Sequence, residues 1–307
     1  MRKKADRDND KGTAPRAAIS AQGVAISDHE FELLQGLIYN EAGIYLSDVK
    51  RALLVGRLGR RLRQLSMTSF QDYYEYVIGG AQDELVTLLD CISTNETHFF
   101  REPQHFAFMR ERVIPVWRER AAAGVMPRRV RVWSAGCSTG EEPYSLAMLF
   151  LDTLPPSDGW AVEIVATDLS TRVLALAREG LWSMERAKEI PEAYLKRFML
   201  RGTGSQVGRM KAGVEVRQVI EFARLNLNDA NYPLVGHFDL ILCRNVLIYF
   251  NAESRAGVIR RLLARLDPAG YLFVGHAETL SGQGAAIRSV APTIYAWARN
   301  VAAEPRR

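Results

Sequence analysis

Gly136, Cys137, Ser138, Thr139 and Gly140 spell GxSxG between the apolar run "VRVWSA" and a helix-forming stretch that opens with Glu141 and Glu142. Two chemistries use such a turn. In the nucleophile elbow of α/β-hydrolases, Ser138 would attack a carbonyl with Asp239 and His276 as partners in chain order. Alternatively, a glycine turn passes backbone N–H groups beneath a nucleotide-like cofactor. The hydrolase reading is weak because this turn follows the first strand of its domain, so no earlier strand and loop supply a second oxyanion donor. The cofactor reading gains Asp168, which ends the next apolar run 28 residues after Gly140. Rossmann-like domains keep an acid there for a ribose diol.

The loop lacks the third glycine of GxGxxG, and two carboxylates at a helix start would repel a pyrophosphate. They suit a cofactor with a cationic end and no phosphate, as S-adenosylmethionine has, although both could simply satisfy the helix dipole. Further polar residues gather where strands end: Asn226 in "LNLND", and Arg244, Asn245 and Tyr249 in "CRNVLIYF". Ligands of open α/β sheets sit at that carboxyl edge. Taken alone, Asn245 and Tyr249 read equally well as a turn amide and a core aromatic.

The elements that must position these residues follow from periodicity. From Arg128 onward, apolar runs alternate with helical stretches, the pattern of a mostly parallel sheet. Strands are expected in "RVRVWSA", "AVEIVATDLS", "VIEFARLNL", "FDLILC" and "GYLFVGHAE", helices over Glu141–Asp152, Thr171–Glu179 and Ala252–Leu266, and a closing hairpin in "AIRSVAPTIYAWAR". The segment "MLRGTGSQVGRMKAGVEVRQ" reads as a small β insertion at about residues 200–219. Upstream, residues 26–92 form a helical module. Ser27 with Glu30 makes a capping box, and Leu54, Leu58, Leu62 and Leu65 share one face of a second helix. Its other face carries Lys50, Arg57, Arg60, Arg61 and Arg63, with no acid between Asp48 and Asp72. That is either a solvated face or a docking surface for an acidic partner.

The chain has 307 residues, 48% hydrophobic and 24% charged, which is ordinary globular composition with room for two domains. Cys91, Cys137 and Cys243 form no CxxC pair, which speaks against a zinc site or a disulfide framework, and reduced thiols in a cytoplasmic setting are expected. No metal is expected. No apolar run reaches the roughly 18 residues of a membrane span. Of the net charge of +5, the first 20 residues, expected to be a disordered tail over residues 1–25, supply three. A basic composition therefore gives little reason to invoke nucleic acid.

Taken together, "STNETHFFRE", "VWSAGCSTGEEPYSLA", "ATDLS", "RGTG", "CRNVLIYF" and "GHAETL" resemble the CheR family of chemoreceptor glutamate methyltransferases, in order and spacing, from about Ile26 to Arg299. The resemblance implies an all-helical docking domain (26–92), then a Rossmann-like class I methyltransferase domain of α/β class (93–300) with a β insertion, and a short tail (301–307). It implies S-adenosylmethionine as methyl donor, with S-adenosylhomocysteine as product. The substrate implied is the cytoplasmic helical bundle of a bacterial chemoreceptor, and a cytoplasmic monomer that inserts in no membrane is expected. Asn95, Thr97, Arg101, Glu141, Asp168, Asn226, Leu227, Asn245 and Val246 would line the cofactor site, with Arg101 and Tyr249 nearest the transferred methyl. Arg57, Arg60, Arg61 and Arg63 would dock the receptor helices. In some members the β insertion grips a tether at the receptor C-terminus.

Two alternatives are carried. One is a non-catalytic, S-adenosylmethionine-responsive regulator that docks on receptors. The other is a nucleic-acid methyltransferase, which would need an (Asp or Asn)-Pro-Pro-(Tyr or Phe) loop where this chain reads "RNVLIY".

Overall fold

A computed structural model describes residues 25–80, 82–93, 95–280 and 286–298. The expectations for the two terminal tails fall outside these residues, apart from Ala25. Four helices come first: α1 (Asp28–Ala42), α2 (Arg51–Gln64), α3 (Phe70–Ile78) and α4 (Gln82–Ile92). The capping box is present. Ser27 Oγ accepts from the Glu30 N–H at 3.2 Å, while the Ser27 N–H donates to Glu30 Oε2 at 2.8 Å, an arrangement that stabilises a helix start by about 1 kcal/mol. Leu34, Leu54, Leu58, Leu62 and Phe70 are fully buried in this module's own core, against which Leu169 and Tyr249 of the following domain also pack.

The next helices lie in a stretch to which the periodicity reading assigns nothing: α5 (Pro103–Phe108) and α6 (Ile114–Ala122), joined through a π-helical turn at Met109–Val113. The signal was available. Pro103 occupies the first turn, and Phe106, Met109, Val113 and Trp117 recur at helical spacing and are buried.

The α/β domain then runs β1 (Arg129–Ala135), α7 (Glu141–Thr153), β2 (Ala161–Asp168), α8 (Thr171–Glu179), β3 (Leu181–Ser183), α9 (Glu192–Phe198), β4 (Met199–Arg201), β5 (Arg209–Ala212), α10 (Val214–Gln218), β6 (Ile220–Arg224), β7 (Phe238–Cys243), α11 (Ala252–Leu263), β8 (Leu266–Val274), β9 (Ile287–Ala291) and β10 (Ile294–Trp297). The main sheet has the order β6-β2-β1-β7-β8-β10-β9. β6 through β8 are parallel, and the β9–β10 hairpin closes one edge antiparallel. This is a Rossmann-like, doubly wound α/β sheet with one antiparallel edge. Both sheet faces are covered by separate apolar clusters, one including Leu146 and Phe150 of α7, the other Val258 and Leu262 of α11. Strands buried on both faces read as continuous apolar runs.

Two boundaries differ from expectation. Helix α11 stops at Leu263, because Leu266 already pairs with Phe238 in the sheet. The β insertion begins at Leu181 rather than near residue 200, since its small sheet has the order β3-β5-β4 and needs β3 from the segment after α8.

The helical module is stitched onto the carboxyl edge of the main sheet. Ile44 bridges to Phe250, and the Tyr45 N–H donates to the Tyr249 carbonyl at 2.8 Å. The Asn226 side chain donates to the Glu41 carbonyl at 2.6 Å, and Asn251 Nδ2 donates to the Tyr39 hydroxyl at 3.0 Å.

Candidate active site

The strand order reverses between β1 and β7, and a crevice opens where their carboxyl ends diverge. It is a cavity with about 1170 Å³ of atom-free space, counted out to its open mouth. The sheet contributes Gly136 and Ser138 after β1, Asp168 at the end of β2, Asn226 and Leu227 after β6, and Asn245, Val246 and Tyr249 after β7. The opposite wall belongs to the helical module, through Ile44, Leu46, Lys50 and Leu53, and to the connecting segment with Asn95, Thr97 and Arg101. Gly136 is required where it stands. Its φ is +86°, and a Cβ there would lie 2.4 Å from Val246 Cγ2.

Asp168 is fixed by two backbone donors, the Ser138 N–H at 2.8 Å and the Ser170 N–H at 2.9 Å, each using one carboxylate oxygen. Burial lifts its carboxyl above the usual range, and those two N–H groups oppose the shift. Asn245 Oδ1 and Asn95 Nδ2 are buried without a protein partner among the described residues, although both residues border the cavity. An orphaned acceptor and an orphaned donor fit a polar ligand better than an apolar one.

Arg244 is the buried cation of the site. Its Nη1 donates to Glu142 Oε2 at 3.1 Å, its Nε lies 3.4 Å from Glu102 Oε2, and its Nη2 donates to the Arg101 carbonyl. Glu142 also accepts from Ser134 Oγ at 2.6 Å, and burial raises its carboxyl while Arg244 pulls it back. The Arg101 guanidinium donates from Nη1 to the Glu96 carbonyl at 3.1 Å, so Glu102 is not its ion-pair partner; Glu102 is taken by Arg244 and His276. Lys50 Nζ lies 5.8 Å from the Tyr249 ring centroid.

The chain matches two family models in tandem: "CheR methyltransferase, all-alpha domain" over residues 29–93 and "CheR methyltransferase, SAM binding domain" over residues 95–296. The chain belongs to the CheR methyltransferase family. It is 38% identical to the chemotaxis protein methyltransferase of Escherichia coli strain K12, over 90% of this chain and 93% of that one. It is 36% identical to chemotaxis protein methyltransferase 2 of Pseudomonas aeruginosa, over 92% of this chain and 98% of that one. Its methyl donor is S-adenosylmethionine, and the domain that binds it supplies one wall of the cavity, the helical module the other.

Within this CheR chain, Asn95, Thr97, Arg101, Asp168, Asn226, Leu227, Asn245, Val246 and Tyr249 all border the one cavity, although they are spread over more than 150 positions. Glu141 does not. Its carboxylate is 1% exposed, accepts from Thr139 Oγ1 at 2.6 Å and lies 3.4 Å from Arg186. Glu142, turned about 100° further around α7, borders the cavity instead.

Of the four arginines expected to dock a partner, two are tied into the helical module. Arg61 donates from Nε and Nη2 to buried Glu84 at 2.8 and 2.5 Å, and Arg57 donates to the Ile92 carbonyl. Arg60 and Arg63 are exposed. The hydrolase triad has no geometry. Asp239 accepts from the Arg131 N–H at the amino end of β7, while Ser138 sits past the carboxyl end of β1 and donates from Oγ to the Asn95 carbonyl at 3.0 Å.

The site residues implied by the resemblance leave out Lys50, Glu142 and Arg244, although the motif reading sets Glu142 beside a cationic cofactor end and Arg244 at the carboxyl edge of the sheet. Neither reading finds Arg186 and Glu189 of the insertion, which anchor the connecting segment: Arg186 donates to the Thr97 carbonyl, and the Phe99 N–H donates to Glu189 at 3.0 Å. "GEEP" and "CRN" carried a signal for Glu142 and Arg244. The Arg186 contact spans 89 positions and left none.

Proposed function

We propose that this chain transfers the methyl group of S-adenosylmethionine to glutamate side-chain carboxylates on the cytoplasmic helical bundle of a bacterial chemoreceptor, giving glutamate methyl esters. The observation that carries this reading is that Arg101 borders the cavity together with Lys50 and Tyr249. When bound, the cofactor supplies an electrophilic methyl on a sulfonium. A glutamate carboxylate, with a pKa of about 4.3, is already ionised near neutral pH. The site must therefore position and partly desolvate the nucleophile, and it has no need to remove a proton from it.

Each residue has a role in that task. Asp168, held by two backbone donors, keeps lone pairs for ribose hydroxyls. Asn226 and Leu227 flank the base, with Asn226 already oriented by its bond to Glu41. Glu142, in place of Glu141, offers a carboxylate to the cationic amino-acid end. Arg101 pairs with the incoming carboxylate, while the wall from the helical module excludes water. Exposed Arg60 and Arg63 bring the acidic receptor helices to the mouth.

The test is methyl transfer from labelled S-adenosylmethionine to cytoplasmic receptor fragments, with Arg101→Ala alongside. Base-labile label on a receptor, reduced at least about tenfold in the variant, is expected from loss of one charge-assisted contact. If the cofactor binds and no receptor fragment takes up label, the reading fails and a non-catalytic regulator replaces it.

A further inference from the structure

Glu278 lies in the turn after β8 and is not part of the cavity lining, yet the residue is only 5% exposed and both its carboxylate oxygens accept from backbone N–H groups. Its Oε2 accepts from the Gly275 N–H at 2.6 Å and the Asn245 N–H at 2.8 Å, and its Oε1 accepts from the Ile248 N–H at 3.2 Å. Two of these three donors belong to the loop after β7, which supplies Asn245, Val246 and Tyr249 to the cavity.

That loop holds a strained shape. Asn245 has φ +59°, a left-handed conformation that a non-glycine residue keeps only where its surroundings enforce it. The enforcement is visible on both sides. At Gly275, an added Cβ would lie 2.8 Å from Asn245 N and 2.9 Å from Glu278 Oε2, so the β8 turn and the β7 loop touch backbone to backbone with the carboxylate closing the gap. Three N–H groups converge on this one carboxylate, which holds the two turns together.

We infer that Glu278 is a positioning residue of the methyl-transfer site: its carboxylate fixes the Asn245–Tyr249 loop in the shape that presents Asn245, Val246 and Tyr249 to cofactor and substrate. It acts through the loop and touches neither ligand. The inference rests on reading this cavity as the cofactor site and does not need the receptor assignment. Glu278→Gln keeps the size but replaces one carboxylate oxygen with an amide NH₂, so at least one backbone donor then faces a donor.

The experiment compares full-length wild type, Glu278→Gln, Gly275→Ala and Asp239→Asn. Asp239 is a matched control, because its carboxylate also accepts a backbone N–H, from Arg131 at 2.8 Å, at the opposite end of β7. Equilibrium binding of S-adenosylmethionine is measured by calorimetry, and hydrogen exchange is followed at the Asn245 and Ile248 amides. Glu278→Gln and Gly275→Ala are expected to raise the cofactor Kd on the order of tenfold or more and to speed exchange at both amides. Asp239→Asn should lose stability with Kd unchanged. A folded Glu278→Gln protein with wild-type Kd overturns the inference, as does an equal rise in Kd for Asp239→Asn. Failure of both Glu278→Gln and Gly275→Ala to fold assigns Glu278 to the core and overturns it too. A wild type that binds cofactor but labels no receptor refutes the receptor reading alone, since the Kd comparison still decides Glu278.

Discussion

Glu102 is the residue on which several charges of the site meet. Its side chain is 8% exposed and faces Arg244, the His276 backbone N–H and ring, and His105. His105 is fully buried, with Nε2 2.7 Å from Thr293 Oγ1, and burial together with the Arg244 charge lowers its pKa to about 4. It is therefore neutral at pH 7, and its 3.3 Å approach to Glu102 is not an ion pair there. With an ordinary value of 6.5 in the unfolded chain, the unfolded state binds more protons between about pH 6.5 and 4. Stability is thus complete above that window and falls as pH drops through it, by on the order of 3 kcal/mol for His105. For Glu102, burial acts upward, but Arg244 and the His276 N–H win and hold the carboxyl below its usual value, so its share is lost at still lower pH. Urea unfolding of wild type between pH 7 and 4 should follow this slope, and His105→Gln should flatten its upper part. An unchanged slope in the variant would place the acid sensitivity elsewhere.

Helix α2 shows how a charge-rich element divides its labour. Arg61 neutralises Glu84, which is 4% exposed and also accepts from the Tyr73 hydroxyl at 2.8 Å, so this arginine holds α2 to α3 and α4. Arg60 and Arg63 face solvent. The double reversal Arg60→Glu/Arg63→Glu should raise the KM for a receptor fragment on the order of tenfold and reduce its salt dependence. Cofactor Kd should be unchanged, and stability should stay within about 0.5 kcal/mol. Glu84→Gln, by contrast, should lower the melting temperature by leaving Arg61 without its counter-charge. A receptor KM untouched by the double reversal would remove α2 from the docking surface. The helical period made α2 legible, but the sequence does not say which arginine meets Glu84, a residue 23 positions away. The same limit governs the sheet. Apolar runs and their terminal polar residues gave β1, β2, β7 and the positions of Asp168 and Asn245, because strand ends and cavity coincide by topology. The choice between Glu141 and Glu142 depends on the rotation of α7 about its axis, and the clamp on the Asn245 loop depends on a turn 33 positions downstream.

Neither half of the molecule encloses the cavity alone, and this ties cofactor binding to the placement of the helical module. The helical module supplies Ile44, Leu46, Lys50 and Leu53 to the wall, and its contacts with the α/β domain run through residues that also border the cofactor space: Asn226 to the Glu41 carbonyl, and Tyr249 to the Tyr45 N–H. A ligand that packs against Asn226 and Tyr249 must therefore stiffen the same bonds that hold α1 and α2 in place. By linkage, any seam contact that the ligand strengthens must in turn strengthen the ligand. Cofactor at about one hundred times its Kd should stabilise the protein by about 2.7 kcal/mol. It should slow hydrogen exchange at the Tyr45 amide, with a smaller effect on α3, which forms no part of the cavity wall. Tyr39→Phe removes the hydroxyl that receives Asn251 Nδ2 and Ser254 Oγ across the seam, and it touches no cavity residue directly. It should weaken cofactor binding a few-fold, for a cost of about 1 kcal/mol in the lost hydrogen bonds. A Tyr39→Phe protein of reduced stability with wild-type cofactor affinity would mean that the seam only joins the domains. Reduced affinity would mean that a filled cofactor site favours the arrangement in which the helical module closes over the cavity.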